Sequence, residues 1–177
     1  MAKIGFNKLN LSLNKEEVKF MWEGNEIFVK QYLPIEEKLK LIADVLNAVS
    51  ASEPQARTYN EVKLDGFYKL NVVMYYTNVN FTEKQLENPS KLIDLLVSSG
   101  FYDKVKASIP AEEIEYLSFY LYESVEDLEK YQNSIYGIMD AMNTDYKNLD
   151  FDIEKLQGDI SNPENLTLLK DIMTRLG

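Results

Sequence analysis

Two stretches of this chain repeat apolar side chains at alternating spacings of four and three, the period that turns one face of an α-helix toward a core. The first holds Ile35, Leu39, Ile42, Leu46 and Val49. It follows Pro34, whose missing N–H has no helical partner to lose in a first turn, and predicts a helix to about residue 50. The second holds Ile114, Leu117, Leu121, Leu128, Tyr131, Ile135, Ile138 and Met142, with a gap at Ser124. It predicts the longest helix of the chain, over residues 110–142. Seven glycines and five prolines in 177 residues suit long helices joined by short turns.

Ahead of these helices the period changes to two. Val18, Phe20 and Trp22 alternate with Lys19, Met21 and Glu23, and Ile27, Val29 and Gln31 alternate with Phe28, Lys30 and Tyr32. Two such runs around Gly24-Asn25 predict a β-hairpin with large apolar groups on both faces, so at least one face must be covered. Residues 1–17 read as a partly extended arm, and residues 51–60 have the composition of a loop. Residues 61–79 fit either a helix or a strand; helix is the better reading, since a single strand here has no evident partner. Thr82-Glu83-Lys84-Gln85 is a capping box, Asn88-Pro89 opens a further helix, and Ser99-Gly100 closes it. A short segment, 101–108, leads to Pro110. Further helices are expected over 150–158 and after Asn162-Pro163, the latter carrying Leu166, Leu169, Met173 and Leu176. The pattern predicts an α+β fold, predominantly helical, with the N-terminal β-hairpin packed on a helical bundle that contains one long helix. It is read as a single domain over 1–177, with arm and hairpin over 1–33 and a helical body over 34–177.

Composition narrows the chemistry. The chain has no cysteine, which excludes disulfides and thiolate metal sites, and no histidine, the side chain that titrates near neutral pH. Asp150, Asp152 and Glu154 have the spacing of a calcium loop, but Lys155 stands where the turn glycine belongs and Ser161 where the bidentate glutamate belongs. No glycine-rich phosphate loop and no nucleophile elbow is present. Glu112, Glu113 and Glu115 could pair for acid–base work, yet in a first helical turn negative charge is stabilising for structural reasons alone. No metal, no cofactor and no catalytic activity are therefore expected.

The net charge of -10 would be repelled by a duplex or an anionic membrane, and the lysines form no basic patch. No apolar run is long enough to span a bilayer, and the first ten residues lack a signal-peptide core, so the expected location is the cytoplasm. Nucleic-acid and membrane partners are not expected. Glu123, Glu126, Asp127 and Glu129 form either a solvated helix face or an acidic decoy for a nucleic-acid-binding protein.

Aromatic side chains point either to a protein partner or to a helix sandwiched between others inside the domain. Tyr116, Phe119, Tyr120 and Tyr122 spread around the cylinder of the long helix and cannot all face one core. Tyrosine serves interfaces because it combines a large apolar area with a polar end. Tyr116, Phe119, Tyr120 and Tyr131 are the candidate partner-binding residues, and the unfilled stripe predicts self-association or a helical partner.

Three stretches, WEGNEIFVKQYLPIEEKLKLI, NVNFTEKQLENPSKLIDLLVSSG and NPENLTLLKDIMTRLG, together resemble proteins of bacteriophage virion-morphogenesis modules from Gram-positive hosts. The opening hairpin with its W-x-G-x-x-I-x-V pattern, followed by an amphipathic helix and a helical body, is similar to tail assembly chaperones. That resemblance implies binding to the helical tape-measure protein in the cytoplasm of the infected bacterial host. A minor structural component of the virion, in head, inner core or connector, fits the same composition.

Overall fold

In the computed structural model, which describes residues 3–52 and 58–134, the two period-two runs pair as antiparallel strands β1 (Glu17–Trp22) and β2 (Asn25–Lys30). Trp22 stands opposite Asn25, so the turn is Glu23-Gly24 rather than Gly24-Asn25. Both turn residues have positive φ, 47° and 80°, as a two-residue turn of matching twist requires. Val18 and Val29 pair on one face with Phe20 and Ile27, and Phe20 and Trp22 meet the Phe101 ring at centroid distances of 6.1 and 5.1 Å. This is the covered face. Before the hairpin lies a 3-10 turn at Phe6–Leu9 that buries none of its residues.

Helix α1 (Ile35–Ser52) runs two residues past the sequence expectation, and its core line is rotated from the predicted stripe. Lys38, Leu41, Ile42, Val45 and Val49 are buried, while Ile35 and Leu39 stand in solvent. Tyr75 donates to Asp44 at 2.5 Å on one flank and Lys38 reaches Glu113 on the other, which fixes that rotation.

Residues 61–76 form α2 (Glu61–Tyr76), capped by Asn60, whose side chain accepts from the Lys63 N–H. Leu64, Tyr68, Leu70, Asn71, Val72, Val73 and Tyr76 are buried around its circumference, as expected of a central helix packed on several sides. Gly66 lets α4 approach, since a Cβ there would lie 3.2 Å from Ile93. Past its end, Thr77 makes a single bridge to Val29, and the Asn78 side chain accepts from Phe28 N–H and donates to the Glu26 carbonyl. The far edge of β2 is thereby stitched to α2.

The predicted capping box forms at α3 (Glu83–Leu86), and Asn88 caps α4 (Pro89–Ser98). Gly100, at φ 75°, both ends that helix and begins α5 (Phe101–Ser108). The sequence reading gave α5 only as a short connecting segment, because a glycine at the cap offers no side-chain start signal. Phe101, Tyr102 and Val105 of α5 are buried.

Helix α6 (Ala111–Gln132) buries Glu113, Ile114, Leu117 and Leu121. It gives way to a turn at Asn133, short of the predicted residue 142. Asn133 and Ser134 both have side chains that compete for backbone hydrogen bonds and weaken helices. The expectations for 135–142, 150–158 and the helix after Asn162-Pro163 lie outside the described residues, as does the Asp150 cluster. The fold is α+β and mainly helical, with six α-helices and one hairpin among the described residues.

Candidate protein-binding face

A buried ionic node sets the position of α6. Glu113 lies in the helix's first turn, where its charge complements the helix dipole, but it points inward. One carboxylate oxygen accepts from the Leu33 N–H at 2.9 Å and the Tyr76 hydroxyl at 2.9 Å; the other accepts from Lys38 Nζ at 2.8 Å. A group read from the sequence as a stabilising first-turn charge thus joins α6, α2 and the start of α1. Burial first, and the Glu113 charge second, push the Tyr76 phenol well above its ordinary value, keeping it a donor. With three fixed donors on it, the carboxylate acts as a clamp rather than as a free base.

Lys38 extends the node to the surface. Its ammonium lies 4.2 Å from the Tyr32 ring centroid and 4.6 Å from that of Tyr116, within range of attraction by both ring faces. Tyr116 in turn packs against Tyr120 at 4.5 Å, and Tyr120 meets Phe119 edge-on at 5.2 Å. These three rings remain 38%, 43% and 58% exposed for Tyr116, Tyr120 and Phe119. On α1, Ile35 and Leu39 lie three residues before and one residue after Lys38, and are 52% and 61% exposed. At about 100° per residue both fall on the same side of the buried line.

Of the four candidate residues, Tyr116, Phe119 and Tyr120 come together. Tyr131 is also exposed, but it lies about 16 Å farther along α6 at 1.5 Å per residue. Sequence reasoning missed Lys38 and Tyr32 beside Tyr116, and the exposure of Ile35 and Leu39. One signal was available: Lys38, Ile42, Val45 and Val49 also follow a four-three-four spacing, and a lysine heading an apolar line calls for a buried carboxylate.

The acidic residues of α6 divide. Glu123, Glu126 and Asp127 are exposed, with Glu126 bridged to Lys130 at 2.8 Å, whereas Glu129 accepts from the Tyr59 N–H at 2.8 Å. Among the described residues no group of three acidic side chains converges in a way that could hold a metal ion, and no helix is long and apolar enough to cross a membrane. Comparison with protein-family models, with curated proteins and with solved structures finds no match to this chain.

Proposed function

We propose that this chain is a bacteriophage morphogenesis protein, a tail assembly chaperone that grips an apolar helix of a tape-measure protein through the Tyr116–Phe119–Tyr120 face. The observation that carries this reading is the run of three rings, with Tyr120 packed against both Tyr116 and Phe119, open to solvent on a helix anchored from beneath by Glu113 and Lys38. Rings held in place lose little freedom on binding, which favours them as anchors. Ile35 and Leu39 add aliphatic surface suited to a helix that presents leucine and valine side chains. The partner class comes from the resemblance in the hairpin and helix stretches. On this reading the protein acts in the cytoplasm of the infected host and self-associates.

Co-expression with the tape-measure protein tests the reading. Phe119→Glu and Tyr120→Glu should each abolish co-purification while changing stability by no more than about 0.5 kcal/mol, as exposed substitutions do. Capture should persist as salt rises, because apolar contacts are not screened. Capture of a nucleic-acid-binding host protein that fades steeply with salt would favour the acidic decoy instead. Recovery of the chain from purified particles would favour a structural component of the virion.

A further inference from the structure

Among the described residues the hairpin has one stitched edge and one open edge. Thr77 and Asn78 close β2, but among those residues the sheet holds β1 and β2 alone, so β1 is an edge strand there. Since Phe28 and Glu26 direct their backbone groups outward to Asn78, their partners Lys19 and Met21 must point theirs outward on the opposite side, with Glu17. Open edges of this kind take up added strands unless something blunts them. Lys19 could do so, but its ammonium is drawn to Glu26 at 2.7 Å, across the outer face of the sheet.

The same chain carries a segment with the pattern of a strand but no sheet to join. Leu11 and Leu13 are exposed and alternate with Ser12 and Asn14, the period of a half-buried strand. Ile4, Phe6 and Leu9 ahead of them are exposed as well. The arm does not turn back along its own β1. Gln31 N–H donates to the Glu16 carbonyl at 2.9 Å, prolonging the ladder, and residues 13–16 continue past Lys30, Tyr32 and Glu37. That course leads away from the open edge.

We propose that the arm of one copy, residues 11–15, adds as a third strand to the β1 edge of a second copy. Leu11 and Leu13 then lie beside Val18 and Phe20 on the covered face, extending it over Val18, which one chain alone leaves exposed. Each copy supplies one strand and one edge, so a reciprocal exchange closes a two-fold pair. The occupant is a second copy because the strand-patterned arm and the edge that suits it, each incomplete, both lie in the described residues of every chain. This surface is separate from the α6 rings, so its failure leaves the proposed grip of those rings on a tape-measure helix standing.

The 177-residue chain has no native cysteine, which makes the test direct. Light scattering of the wild type should give a self-associated mass. Leu11→Asp with Leu13→Asp, in exposed positions, should return it to monomer. Lys19→Pro should do the same, since it removes an outward N–H and leaves the β1–β2 ladder bonds intact. Mixed single variants Ser12→Cys and Lys19→Cys should oxidise to a covalent pair joining one of each. A monomeric wild type, an association that survives either set of edge and arm variants, or an oxidation that yields no pair joining one of each single variant would each overturn the proposal. Should Lys19→Pro fail to fold, the arm variant and the mixed oxidation still decide.

Discussion

Lys38 and Glu113 stand 75 residues apart in the chain and meet at 2.8 Å, with side chains only 6% and 9% exposed. Removing one partner of such a pair strands the other. Lys38→Met should cost about 3–5 kcal/mol in a urea melt. Adding Glu113→Gln should recover part of that loss, because the amide oxygen still accepts from Leu33 N–H or Tyr76 while no charge is left buried. A double variant less stable than Lys38→Met alone would contradict the pairing.

Trp22 meets Phe101 edge-on at 5.1 Å but is itself only half-buried. Full burial would make Trp22→Ala cost about 3–5 kcal/mol; half-burial lowers the expected loss to about 2–3 kcal/mol. As the sole tryptophan it also reports on the hairpin. Phe101→Ala should red-shift its emission, and an unchanged spectrum would mean that this contact does not shield the indole.

Gly66 sits within α2, where alanine is intrinsically better by about 1 kcal/mol. Its new Cβ would press on two Ile93 side-chain atoms at 3.2 and 3.3 Å. Gly66→Ala alone should therefore fall near neutral in thermal melts, whereas Gly66→Ala with Ile93→Val should exceed the wild type. Gly66→Leu should lose about 1–3 kcal/mol by overpacking.

Alkali should unfold the protein steeply. Burial is the first cause that raises Tyr68, Tyr76 and Tyr102 above the ordinary phenol value of 10.0. Between the unfolded and folded values the unfolded chain has lost its proton and the native one has kept it. Stability is thus whole below pH 10 and falls above it, by about 1.4 kcal/mol per pH unit for each such phenol. Denaturant midpoints at pH 9 and pH 11 test this; Tyr76→Phe should flatten the decline, and a profile level across that interval would refute it.

Local signals in the sequence translate well into this fold. Thr82 and Gln85, Asn88 with Pro89, and Gly100 act where their side chains or their lack of one require it. Helix α5 escaped because its cap is that same glycine, and α2 looked strand-like because a helix covered on several sides also favours valine and tyrosine. The hairpin was legible but its turn was one residue out, as Glu23 accepts a left-handed backbone that Asn25 seemed better suited to take. The outward aromatics of α6 were legible from angle alone. Glu113 was not: its three donors come from residues 37 to 80 positions away, beyond the reach of any spacing rule.

The Glu113 clamp has a consequence for biosynthesis. Leu33, Lys38 and Tyr76 are all made before the acceptor they share, so a nascent chain that stops short of α6 holds an amide, an ammonium and a phenol with no carboxylate to receive them. Such a chain can close its hairpin and wind α1 and α2, but the lysine on α1 has no buried partner until α6 brings the carboxylate and the Tyr116 ring to it. Premature termination products should therefore be more open to cellular proteases than molecules that include the sixth helix.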